Sequence, residues 1–146
     1  MKVRNGLFTK IDGSFYSVTE LRSEVPVSDQ DRLFIIKDFK YTGGNENGKV
    51  MGKDLEFLLL IKTYCRLKDI VLEVVGSKEN GNLQLEVATR KSTDAESLGL
   101  RRMREGWYVA TVGLENISEM WEVRERYKHF KLPPHLPPKK IVWTGS

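Results

Sequence analysis

The sequence predicts a mainly β protein of the α+β kind: an antiparallel sheet, or an open roll or barrel, with a short C-terminal helix and an extended proline-rich tail. Three observations carry that expectation. Asp12-Gly13 stands between two strand-prone runs, and a type I′ hairpin turn needs a positive φ at both of its central residues. Asn80-Gly81 stands between two further runs of strand formers. Four of the five prolines lie in LPPHLPPKKIVWTGS, where no helix can form.

The elements follow in chain order. Residues 7–11 and 14–19 form the first hairpin. Glu20 to Asp31 is a polar loop. RLFIIKDF, residues 32–39, is too short an apolar run for a helix and reads as a strand. YTGGNENGKVMGKD is a glycine-rich loop or long hairpin connection ending near Asp54. LEFLLLIKTYCRL mixes helix and strand formers; we read a strand over residues 58–65, with a helix over Phe57 to Leu67 as the competing expectation. Residues 69–76 form a strand with Ile70, Leu72 and Val74 on one face and Val71, Glu73 and Val75 on the other. A five-residue turn, Ser77 to Gly81, leads to a strand over residues 82–89, with Leu83, Leu85 and Val87 pointing inward. Thr93 with Glu96 has capping-box spacing for a short helix. Residues 106–112 form the last expected strand. In Leu114 to Tyr127, Ile117, Met120, Trp121 and Arg124 recur at helical spacing and predict the short helix.

A chain of 146 residues has the length of one domain and needs no disulfide or metal to build a core. The expected organisation is a globular domain over residues 1–131 and a tail over residues 132–146. Ile141, Val142 and Trp143 give that tail an apolar end, and Trp143 is expected to pack into a groove. The single cysteine, Cys65, has no internal disulfide partner and fits a reducing compartment. The longest apolar run, Phe57 to Ile61, falls far short of the about 20 residues a membrane span requires. With no targeting segment visible, the expectation is a cytoplasmic protein without a membrane partner.

The net charge of +4 is unevenly placed. Residues 1–89 hold 13 basic and 13 acidic residues, whereas residues 90–146 hold 11 basic and 7 acidic. Arg101-Arg102-Met103-Arg104 and the stretch from Arg124 to Lys140 supply much of the positive charge. Tyr127, Phe130 and Trp143 lie among those cations, and aromatic rings beside cations are what single-strand binders use. A nucleic-acid-binding module is therefore the alternative function.

Catalytic patterns are missing from the sequence. His129, His135 and Cys65 have no acidic cluster around them of the kind a metal site needs. The loop from Gly43 to Lys49 lacks the Gly-Lys-Ser/Thr ending of a phosphate-binding loop. No Gly-x-Ser-x-Gly elbow occurs. The expectation is a non-enzyme without cofactor or metal.

REGWYVATVGLENISEMWEVRERY resembles the closing segment of bacterial polymorphic-toxin immunity proteins, in which a hydrophobic strand leads into an I-x-E-h-W-E-x-R element. Ile117, Glu119, Met120, Trp121, Glu122 and Arg124 match that element. The opening KVRNGLFTKIDGSFYSV and Ile61, Thr63 and Cys65 of the middle segment are similar to the same group. The proline-rich end departs from the pattern. The resemblance implies a cytoplasmic antitoxin that binds a cognate toxin domain, a nuclease being a frequent case, and occludes its active site. Ile117, Met120 and Trp121 are expected to close the core. The charged residues expected to meet the partner are Arg101, Arg102, Arg104, Glu119, Glu122, Arg124 and Arg126.

Overall fold

The structure is a computed structural model that describes residues 3–38, 48–102 and 106–145. Its strands are β1 (Gly6–Ile11), β2 (Ser14–Glu20), β3 (Leu33–Ile36), β4 (Lys49–Met51), β5 (Leu59–Leu67), β6 (Ile70–Asn80), β7 (Asn82–Thr89), β8 (Arg101–Arg102), β9 (Tyr108–Gly113), β10 (Glu119–Arg126) and β11 (Lys139–Thr144). One helix, α1 (Ser92–Leu98), and two single 3-10 turns complete the described elements. The strand ladders are antiparallel, so the mainly β expectation holds. Packing divides the chain into two compact units. The first comprises Met1–Asn5, Lys62–Val123 and Lys139–Ser146; the second comprises Gly6–Ile61 and Arg124–Pro138. The proline-rich end is thus shared between them.

In the second unit the ladder runs β4-β3-β2-β1 and continues onto the start of β5. The Asp12-Gly13 turn has φ of 50° and 83°, the left-handed pair that a tight hairpin needs. Its core gathers Val18, Phe34, Ile36, Val50, Leu55, Leu58 and Phe130. Phe130 meets Phe34 edge to face, with centroids 5.6 Å apart. The strand expected over residues 32–39 is shorter, and residues 39–47, which hold half of the glycine-rich loop, lie outside the described residues.

In the first unit the strand order is β11-β10-β5-β6-β7-β9-β8. Cys65, Leu67, Leu72, Val74, Leu85, Val87, Ile117 and Met120 form its core. Val142 and Trp143 pack against the same core, which is where the apolar end of the chain goes. Asn5 ties the N-terminal segment to two strands: its amide donates to the Val74 carbonyl at 2.7 Å and its Oδ1 accepts from the Thr63 N–H at 2.9 Å.

Three expectations need correction. Leu114 to Tyr127 is not a helix: a 3-10 turn at Leu114–Asn116 leads into strand β10. The helical spacing arose from adjacent large residues, Met120 and Trp121. Here a register shift between them lets Met120 pair with Trp143 and Trp121 with Ile141. Second, residues 77–81 are not a five-residue turn, because the ladder continues to Asn80↔Asn82 with Gly81 at φ 84°. Third, the cap of α1 is Lys91 rather than Thr93, and no side chain caps it. The Leu55 to Leu67 ambiguity resolves as strand over β5.

Candidate functional site

The first unit's sheet buries one face and displays the other. On β5, Ile61, Thr63, Cys65 and Leu67 are buried, while Lys62, Tyr64 and Arg66 alternate with them onto the opposite face. Register carries that face onto β6, where Tyr64 lies opposite Glu73 and Arg66 opposite Val71. Val71 and Val75 are 43% and 51% exposed. Isolated exposed valines are ordinary, but these two share a face with further apolar and cationic groups.

Trp121 organises the β10 end of this face. It is only 7% exposed because neighbours cover its ring. Tyr64 stacks on it at 6.1 Å, the Arg66 guanidinium lies 5.6 Å from its centroid, and Lys139 Nζ lies 4.8 Å away. Both cations gain from the ring quadrupole. The ladder places Ile141, 51% exposed, opposite Trp121 and Lys139 opposite Val123. The face therefore carries exposed aliphatic groups at Val71, Val75 and Ile141, with Lys62, Arg66 and Lys139 among them. Among the described residues, no carboxylate forms an ion pair with these three cations. Glu73, half-buried, is the acidic residue nearest in register. Toward β8, a shallow groove of about 650 Å³ is lined by Val75, Glu86, Arg101, Val109 and Thr111.

The charged residues expected at an interface divide sharply. Glu122 is 2% exposed and receives a two-pronged bond from Arg4, at 2.8 Å from Nε and 2.7 Å from Nη2. Arg124 is 5% exposed and donates to the Pro137 carbonyl at 3.0 Å. These two hold the fold together. Glu119 is half-buried, Arg126 is exposed on β10, and Arg101 is exposed on β8. Arg102 contributes backbone to β8, whereas Arg104 lies outside the described residues. Ile117 and Met120 lie in the first unit's core as expected, whereas Trp121 is buried on the opposite face beneath Tyr64, Arg66 and Lys139. Lys62, Arg66 and Lys139, which the structure places on the displayed face, were not among the expected residues. Their signal was the Lys62-Tyr64-Arg66 alternation against Ile61-Thr63-Cys65.

The second unit uses its charges differently. Glu20 accepts from the Tyr127 hydroxyl at 2.6 Å, from Arg32 at 2.8 Å and from Lys128 at 3.4 Å. Burial alone would raise the Glu20 carboxyl, but the Tyr127 hydroxyl, Lys128 and Arg32 together hold it below its ordinary value. Tyr127 is raised, first by burial and then by its bond to Glu20. Arg32 also binds Asp29 at 3.1 Å. Burial would raise Asp29 as well, yet Arg32 and the His129 backbone N–H hold it low.

The aromatic residues proposed for stacking on bases are engaged internally. Tyr127 stacks on Phe130, Phe130 is buried, and Trp143 packs on the core. Cys65 is fully buried, which pushes its thiol up to about 12. His129 and His135 are exposed. Among the described residues no group of three His, Cys, Asp or Glu side chains is placed to hold a metal ion. None of the described helices is long and apolar enough to cross a membrane.

The arrangement is that of an antiparallel β protein whose first unit displays one sheet face. The chain belongs to the family described as Uncharacterised conserved protein UCP033725, whose profile matches residues 3–128. No curated protein and no solved structure matches it.

Proposed function

We propose that this chain is a binding protein of the immunity type, which neutralises a cognate bacterial toxin domain in the cytoplasm by covering its active site, without chemistry of its own. The observation that carries the reading is the open face of the first unit, where Val71, Val75 and Ile141 stand exposed among Lys62, Arg66 and Lys139. Aliphatic groups inside a charged rim are the anatomy of a protein interface. The sheet beneath them is anchored by a full core, so the face needs little ordering when it binds. The I-x-E-h-W-E-x-R resemblance supplies the kind of partner. In this reading Trp121 acts from beneath the surface: it supports Arg66 and Lys139 rather than inserting into the toxin.

The experiment is co-expression with the toxin domain encoded beside this gene. Growth should be restored by this chain, and the two proteins should co-purify with an interface of roughly 800 Å² per partner. Cells that die despite full expression of both proteins would overturn the proposal.

A further inference from the structure

The open face also carries information about the chemistry of what it meets. Lys62 and Lys139 are exposed, and Arg66 lies half-buried over Trp121. Trp121 and Tyr64 are the large rings of this part of the face, and they stack on each other. A base has little Trp121 surface on which to stack, because that ring is 7% exposed beneath Tyr64, Arg66 and Lys139. Besides the cations and the half-buried Tyr64, the groups that reach solvent are aliphatic: Val71, Val75 and Ile141. Phosphate backbones offer nothing to bury against such groups, whereas a protein surface with apolar residues does. The cations then require carboxylates around that apolar patch. A like-charged surface would oppose them and slow encounter.

Resting on the immunity reading, we infer that the partner presents an acidic surface, with aliphatic or aromatic residues framed by Asp and Glu, and that Lys62, Arg66 and Lys139 select it. This narrows the target. A nuclease cleft is cationic because it must hold phosphates, so active-site occlusion of a nuclease through this face would set like charges against each other. The toxin domain engaged here is one whose occluded surface is acidic.

The test compares the full wild-type chain with two double variants, K62E/K139E on the face and R22E/K53E at exposed positions of the second unit. Each is titrated with the toxin domain encoded beside the gene, and separately with a 20-residue oligo-dT. Thermal melts confirm that all three chains are folded. Wild type and R22E/K53E should bind the toxin domain equally, while K62E/K139E should bind about a hundredfold more weakly, mostly through a slower association rate. Raising salt from about 50 to 500 mM should weaken the wild-type complex by about tenfold and leave K62E/K139E nearly flat. Equal binding by all three chains would overturn the inference and leave the immunity reading standing. No binding by wild type would overturn both. Oligo-dT binding by wild type that K62E/K139E loses would assign the face to nucleic acid and overturn the inference. If K62E/K139E does not fold, K62Q/K139Q replaces it, with an expected loss of about tenfold; unchanged affinity in that variant would overturn the inference equally.

Discussion

The open face of the first unit and the carboxylate hub around Glu20 in the second answer their cations differently. In the second, Arg32 and Lys128 converge on Glu20, and Arg32 also holds Asp29. In the first, Arg66 and Lys139 rest on an aromatic ring, beside valine and isoleucine that remain exposed. A cation tied to a carboxylate serves its own unit. A cation held over a ring keeps its charge available to an incoming partner while its position is fixed. The difference teaches that net charge is a poor guide to where a protein binds: what matters is which charges are already answered.

The largest stability effect should come from the buried Arg4–Glu122 ion pair of the first unit. Arg4→Ala should lower stability by about 3 kcal/mol, because Glu122 at 2% exposure loses its two-pronged partner. Urea unfolding reads this directly. A loss below about 1 kcal/mol would mean that Glu122 is readily satisfied by other groups or by solvent.

The hub of the second unit should respond more gently. Tyr127→Phe removes the hydroxyl that donates to Glu20 at 2.6 Å and should cost roughly 1 kcal/mol near neutral pH. The pH dependence has a definite sign. Glu20 is held below its ordinary value when folded, so its contribution is present above the unfolded carboxylate pKa of about 4.3 and is lost as pH falls through the folded value. Melting curves from pH 6 down to pH 3, values chosen to bracket that window, should fall less steeply for Tyr127→Phe than for wild type. Parallel curves would remove Tyr127 from the hub.

The smallest stability effect belongs to the open face. Val71→Thr with Val75→Thr should shift stability by about 0.5 kcal/mol or less, since both side chains are largely exposed. The same pair should weaken toxin binding at least tenfold. A large stability loss with intact binding would reverse the roles assigned to these residues.

Much of the fold was legible where one face of a strand is uniformly apolar. Leu72 and Val74 against Val71, Glu73 and Val75 gave β6 its two faces, and Leu85 and Val87 did the same for β7. The Asp12-Gly13 turn was legible because few residues tolerate its backbone. Strand β10 was not legible. It buries a glutamate and an arginine through distant partners, Arg4 and Pro137, so its inward side does not look apolar. Strand alternation puts Met120 and Trp121 on different faces, and two adjacent large residues imitate helical spacing. The burial of Glu122 and Arg124 was hidden for the same reason, since both looked like solvated charges. Lys139 reaches Trp121 only because β11 pairs with β10, a long-range contact that no local pattern announces.

Methyl NMR would locate on the molecule the surface that meets the toxin domain proposed for it. The chain would be labelled at valine and isoleucine methyls and titrated with the unlabelled toxin domain encoded beside its gene. Val71, Val75 and Ile141 should shift or broaden first, while Val18, Ile36 and Val50 in the core of the second unit keep their positions. A complex that forms with Val71, Val75 and Ile141 unchanged would contradict the proposed interface.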